Sequence, residues 1–206
     1  NMLKIVKDKI DYDFIYKFKI EKFPQKTFIP TEKALLRLTI LKHYIDVGRA
    51  VILEGPTGTS KTVSVEIVCK YLGIKLLRIN LSSEAKSSNL KGNYVGDSDS
   101  WAGLKMKDGP YIEAYEKGYC LLLDEINLAN PECLQFIEDT LDSGVISTDL
   151  PGKGLLQIKM HKNFRLIATQ NPNKDNFAGK RKELSPKFLS RFQVINFPKL
   201  DDTELK

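Results

Sequence analysis

No apolar run in these 206 residues approaches the ~20 needed to cross a bilayer as a helix, and the N-terminus lacks the charged-then-apolar layout of a secretory leader. The sequence therefore offers neither a helical membrane span nor an export signal of that kind. Cysteine is scarce: Cys69, Cys120 and Cys133 make an odd number without metal-ligand spacing, and each falls within an expected helix or strand. That pattern excludes a disulfide framework and predicts buried, reduced thiols. Arginine is scarce too, with six against 26 lysines and 26 acids, and the lysines are scattered rather than clustered. Nucleic-acid surfaces concentrate arginine and aromatics, so the net charge of +6 reads as a solvated, lysine-rich exterior and gives no direct nucleic-acid signal. Repeats and low-complexity stretches are absent. What remains is 42% hydrophobic, enough for one substantial core and a single domain with short extensions.

Within that domain the most informative stretch is Gly55-Pro56-Thr57-Gly58-Thr59-Ser60-Lys61-Thr62. It follows the apolar run Ala50-Val51-Ile52-Leu53 and precedes a helical pattern that begins at Val63. A strand, a glycine-bearing loop and a helix N-terminus in this order suit a nucleoside triphosphate. Backbone amides curl round the β-phosphate, the helix end carries partial positive charge, a lysine reaches the β/γ oxygens and a hydroxyl serves Mg²⁺. Gly55, Gly58, Lys61 and Thr62 fit those roles. Ser60 departs from the pattern G-x-x-x-x-G-K-[ST], which expects glycine before the lysine, and so places a Cβ where bare backbone should face phosphate. On this stretch alone, a plain strand-to-helix turn remains the alternative.

A second pattern favours the phosphate reading. Tyr119-Cys120-Leu121-Leu122-Leu123 is uninterrupted apolar sequence ending in Asp124-Glu125, as expected of a strand buried on both faces with carboxylates at its C-terminal edge. Ligands of open α/β sheets bind at that edge. Asp124 suits the Mg²⁺ water shell, and Glu125 suits orienting and deprotonating an attacking water. Near the other end of the chain, Arg165 to Asn171 place an amide at the end of another buried strand, before Pro172. There Asn171 could hold the water or the γ-phosphate, or could simply form a turn.

The rest of the chain supplies the scaffold. Tyr12, Phe14, Tyr16, Phe18 and Ile20 alternate with mostly charged residues, which predicts a strand or extended arm within an N-terminal extension, residues 1–27. Thr31 caps a helix that stops at Gly48, and further helices are expected after the phosphate loop, at Pro110 to Lys117, at Pro131 to Ser143 capped by Asn130, and after Ser185. Strands are expected at Ile74 to Leu81, Phe164 to Thr169 and Gln193 to Phe197, with a hairpin over Val145 to Lys159. Alternating strands and helices predict an α/β fold with a mainly parallel sheet covered on both faces.

Taken in order, Gly55 to Thr62, Leu121 to Ala129, Phe164 to Pro172 and Gly179 to Phe192 resemble the AAA+ ATPases of the dynein-related branch, most specifically modules of the midasin type. The resemblance spans residues 28–198 and implies the large α/β subdomain of a P-loop NTPase core, with a five-stranded sheet between helices. It implies ATP and Mg²⁺ as cofactors, a nucleotide-binding stretch from Gly55 through Val63, and Thr62 and Asp124 on the metal. By the same resemblance Glu125 activates water, Asn171 is the sensor-1 residue, Asn80 is the polar switch partner of Glu125, and Arg191 is an arginine finger offered to a neighbouring module. The segment Asn89 to Gly109, with Tyr94 and Trp101, is similar to an insert used for partner contacts, although a core role for Trp101 fits as well. Neighbouring AAA+ modules and a macromolecular assembly such as a pre-ribosomal particle are the partners implied. A nuclear location follows from the midasin type, and a cytoplasmic one otherwise. The chain stops at residue 206, soon after Arg191, where the resemblance calls for a helical lid; residues 199–206 read as the start of that lid, and Asn1-Met2 as an added scar. The expectation is thus an excised module with weak or no activity by itself. A nucleotide-holding module without useful turnover, or a MoxR-like chaperone ATPase, is the rival.

Overall fold

The computed structural model describes residues 28, 31–85, 87–96, 103–150, 154–172 and 183–199. The expected arm within residues 1–27, Trp101, the stretch Gly179 to Lys182 and nearly all of the expected lid segment lie outside the described residues.

The first helix, α1 (Glu32–Asp46), begins where Thr31 accepts a hydrogen bond from the Ala34 amide, and it buries Leu35, Leu38, Leu41 and Ile45 as one stripe. Strand β1 (Val51–Glu54) follows, then α2 (Lys61–Leu72), which closes at Gly73 in the left-handed conformation. Strand β2 (Leu76–Asn80) leads to a short helix, α3 (Ser87–Lys91), and a hairpin of β3 (Gly92–Gly96) and β4 (Leu104–Asp108). The expected insert therefore forms, within its described part, a helix and an antiparallel pair. Helix α4 (Pro110–Lys117) starts with proline at its first position and ends at Gly118. It delivers the chain into β5 (Cys120–Asp124), which is buried along its whole length.

After a 3₁₀ turn over Ile126–Leu128, Asn130 caps α5 (Pro131–Ser143) by accepting from the Cys133 amide at 2.8 Å. Strands β6 (Val145–Leu150) and β7 (Gly154–Lys159) pair as the expected hairpin. Strand β8 (Arg165–Gln170), the short α6 (Pro186–Leu189) capped by Ser185, and β9 (Gln193–Asn196) complete the fold.

The main sheet has five strands in the order β2-β5-β8-β1-β9, all parallel. Two apolar cores flank it. One lies beneath α1 and α2 around Leu38, Ile45 and Val68; the other lies beneath α4 and α5 around Tyr111, Tyr115 and Ile137. All three cysteines are free and buried. No described helix is long and apolar enough to cross a membrane. Because every strand of the main sheet points the same way, its loops sort onto two edges. Those after the strands carry the phosphate loop, and those before the strands carry Arg49, His161 and Arg191.

Candidate functional site

The C-terminal edge of the sheet opens into a cleft of about 340 Å³, lined by the phosphate loop together with Arg78, Asn80, Asp124, Glu125, Thr169 and Asn171. The sequence-predicted residues Thr57 to Val63, Asn80, Asp124, Glu125 and Asn171 are therefore brought together, as a parallel sheet requires of strand-end residues. Gly55, Pro56 and Arg191 are not among the lining residues; the carbonyls of Gly55 and Pro56 accept from Lys61.

Gly58 has a φ of +83°, with no atom within 4 Å of where a Cβ would stand, so this glycine answers to backbone conformation and leaves open space for a ligand. Ser60, the departure from pattern, has φ 60° and ψ 24° and caps α2 without a side-chain hydrogen bond. The loop thus demands a left-handed residue at this position, which is why glycine is the usual occupant; serine meets the demand at a conformational cost of ~1 kcal/mol. Gly55 serves another purpose. Its Cβ would fall 2.0 Å from the Phe197 carbonyl oxygen, so glycine here lets the ends of β1 and β9 close on each other.

Lys61, buried at the start of α2, donates to the carbonyls of Gly55 (2.6 Å) and Pro56 (2.8 Å) and to Asn171 Oδ1 (2.7 Å). Asn171 in turn donates from Nδ2 to Glu125 Oε1. A single amide thus bridges the cation that would face phosphate and the carboxylate that would face water. Its own backbone is held by Asn127, whose Nδ2 donates to the Asn171 carbonyl at 2.8 Å. Glu125 sits at φ 56°, one of two non-glycine residues with positive φ among those described, the other being Ser60. Strain at a non-glycine residue concentrates at functional positions, and both residues here border the cleft. Asn80 lies in register with Asp124 on the neighbouring strand and shares the cleft with Glu125.

Asp124 is 5% exposed and accepts on both oxygens. Thr169 (2.9 Å) and Thr62 (3.3 Å) donate hydroxyls to Oδ1, and Arg78 Nε donates to Oδ2. Thr169 also accepts from the Glu125 amide at 3.1 Å, which ties the two carboxylate residues to β8. Hydroxyl, carboxylate and open loop space form a donor set suited to Mg²⁺, which binds through one or two carboxylates plus substrate phosphates. No cluster of three His, Cys, Asp or Glu residues that could hold a metal occurs among the described residues.

Arg78, Thr169 and Asn127 were not singled out by the sequence reading. Period two could have found the first two, since Arg78 shares a strand face with Asn80 and Thr169 shares one with Asn171. Asn127 carried no such signal.

Arg191 lies at the opposite edge of the sheet. Its guanidinium donates to both carboxylate oxygens of Asp142, to the Lys187 carbonyl, and pairs with Glu138 at 2.9 Å. The Arg191 guanidinium beside Asp142 holds that carboxyl below its usual range. The arginine borders a second cavity, of about 450 Å³, at the edge where the strands begin, formed with Asp46, Arg49, Asp142, His161 and Arg165.

The family model for the AAA domain, dynein-related subfamily, matches residues 50–192. Midasin of Giardia intestinalis is 31% identical over 180 residues, which is 87% of this chain and 4% of that protein. Midasin of Dictyostelium discoideum is 34% identical over 164 residues, covering 78% of this chain and 3% of that protein. The uncharacterized protein YojN of Bacillus subtilis is 29% identical over 161 residues, covering 78% of this chain and 51% of its own length. The chain thus spans a small fraction of the midasins it matches. Among solved structures, a candidate ATPase from Cytophaga hutchinsonii superposes with a TM-score of 0.65 at 21% identity, over 99% of this chain and 57% of the other, which shows a shared fold.

Proposed function

The chain belongs to the dynein-related subfamily of AAA domains, and on that premise we propose that it binds ATP with Mg²⁺ and hydrolyses it as one module of a midasin-like remodelling ATPase. The observation that carries the reading is Asn171, hydrogen-bonded at once to Lys61 and to Glu125. A plain strand-to-helix turn has no use for that bridge.

In this proposal the amides of Gly58 to Thr62 and the α2 N-terminus hold the phosphates, and Lys61 leaves the carbonyls of Gly55 and Pro56 for the β/γ oxygens. Thr62 and Asp124 would hold Mg²⁺, which when bound neutralises charge developing on the phosphate oxygens. Glu125 orients the attacking water and accepts its proton, and Asn171 positions Glu125 and senses the γ-phosphate. Asn80 stands by as the alternative polar partner of Glu125. Arg191 faces away from the cleft of its own module and is offered to a neighbour's nucleotide, where such a residue contributes roughly 10³ to 10⁵ in rate. Neighbouring modules are therefore the first partners, with residues 28–198 as the large subdomain. A pre-ribosomal particle as substrate and a nuclear location extend the same reading from the midasin relatives. The second reading, a module that holds nucleotide without useful turnover, draws on one observation: the left-handed Ser60 in the phosphate loop.

Calorimetry on two variants tests the proposal. Lys61→Ala is expected to lose most ATP affinity. Glu125→Gln is expected to keep affinity, and in the assembled parent protein to lose ~10² or more in turnover. Unchanged affinity in Lys61→Ala would sink the site; unchanged turnover in Glu125→Gln would remove Glu125 as the base, and absence of turnover in the assembled wild type would leave the holding module as the better reading.

A further inference from the structure

Asp124 is a buried carboxylate, and a buried carboxylate needs a counter-charge. Lys61 Nζ is engaged by the Gly55 and Pro56 carbonyls and by Asn171. Among the described residues Asp124 forms an ion pair with Arg78, which reaches across from the edge strand β2 to Oδ2. The two partners differ in freedom. The Arg78 side chain is 54% exposed, whereas that of Asp124 is 7% exposed. One member is fixed in the sheet, and the other can swing into solvent at little cost.

We propose that Arg78 is the resident counter-cation of the metal site, holding Asp124 when Mg²⁺ is absent and displaced from it when Mg²⁺ arrives. This rests on Asp124 being the metal-side carboxylate of the reading above. The logic is competition: Oδ1 is committed to Thr169 and Thr62, so Oδ2 is the oxygen open to exchange, and a guanidinium and a divalent ion cannot share it without repulsion. Arg78 keeps the empty site neutral and sets the Mg²⁺ concentration at which nucleotide binding tightens.

The test measures ADP affinity by calorimetry across a Mg²⁺ series, in wild type, Arg78→Ala and Arg78→Lys. ADP is used so that no γ-phosphate contact enters. Loss of a half-exposed ion pair of ~1 kcal/mol predicts that Arg78→Ala reaches its Mg²⁺-enhanced affinity at roughly fivefold lower Mg²⁺. Arg78→Lys should fall between, since it keeps charge without the Nε donor. ADP affinity in EDTA should fall in Arg78→Ala, because Asp124 then faces the phosphates without its counter-charge, and should recover in saturating Mg²⁺. Thermal unfolding separates this from a merely structural arginine. Arg78→Ala should lower Tm in EDTA, where Asp124 loses its partner, and match wild type in saturating Mg²⁺ and ADP. An unchanged or higher Mg²⁺ requirement, or a Tm deficit that persists with Mg²⁺ and ADP, would overturn the inference. So would a loss of ADP affinity that persists in saturating Mg²⁺, which would place Arg78 on phosphate. If wild type binds no ADP at any Mg²⁺ concentration, the nucleotide-site reading itself fails; ADP binding that Mg²⁺ does not tighten overturns this inference alone.

Discussion

Replacing Gly55 by alanine should damage stability far more than its place in a phosphate loop would suggest. The added Cβ would stand 2.0 Å from the Phe197 carbonyl oxygen and 2.8 Å from the carbonyl carbon. Restoring ordinary contact near ~3.5 Å requires the two to separate by about 1.5 Å. Shared between the β9 end and the Gly55 backbone, that separation strains the hydrogen bond from the Phe197 amide to the Glu54 carbonyl, now 2.6 Å, and the one from the Gly55 amide to the Gln170 carbonyl, now 3.2 Å. It also lifts the Phe197 ring, 2% exposed, out of the core beneath α1. Two backbone hydrogen bonds at ~1 kcal/mol each, with ~1–3 kcal/mol for overpacking, give a loss of about 3–5 kcal/mol. Against a total of ~5–15 kcal/mol this is severe, and for a domain of this size it lowers Tm by about 10 °C. Urea unfolding of Gly55→Ala beside Gly58→Ala makes the comparison. At Gly58 the new methyl meets nothing within 4 Å and only the φ of +83° opposes it, for ~1–2 kcal/mol. A Gly55→Ala loss below ~1 kcal/mol, or one smaller than that of Gly58→Ala, would refute the close-approach argument.

Three further outcomes are expected. Ser60→Gly should leave ATP affinity within about threefold and Tm nearly unchanged, because relief of left-handed strain is offset by the entropy glycine adds to the unfolded chain; a tenfold gain in affinity would show the side chain crowding phosphate. Arg191→Ala should leave nucleotide affinity of the isolated chain intact while lowering Tm, through loss of its contacts to Asp142 and Glu138; robust ATPase activity of the isolated chain that vanished in this variant would show the arginine acting on its own nucleotide. Burial pushes the Tyr115 hydroxyl up to about 12, so the folded state holds its proton where the unfolded chain, near ~10, gives it up. Stability from this group is complete below pH ~10 and declines from there to about 12; in Tyr115→Phe the alkaline decline, followed by denaturant unfolding, should be shallower, and an unaltered slope would contradict the assignment.

The sequence was most legible where a residue's neighbours in the chain are also its neighbours in space. Thr31, Asn130 and Ser185 cap the helices they were expected to cap, Gly118 and Gly144 end theirs, and the apolar run before Asp124 is the buried strand it resembled. The meeting of Lys61 with Asn171 was legible only through strand order, since 110 residues separate them. Arg78 escaped notice because a lone arginine in a strand reads as a solvated face; its partner, Asp124, lies 46 residues away on the neighbouring strand. Ser60 was legible as a departure, but not the backbone conformation that goes with it. The chain pattern drew attention to its Cβ, whereas the structure puts the cost in its φ, a quantity that residue identity alone does not reveal.

The strands of the main sheet run the same way, so the phosphate cleft and Arg191 occupy opposite ends of a slab roughly 13–20 Å deep, the length of strands of four to six residues. No side chain spans that distance, so on the proposed arginine-finger role one copy would carry the socket of one site and the plug of another. Counting follows directly. A closed ring of such modules has as many completed sites as members, an open row has one fewer, and a solitary module has none. If turnover needs the plug, titrating a wild-type ring with subunits lacking Arg191 would remove activity site by site rather than all at once, and the shape of that decline would count the junctions.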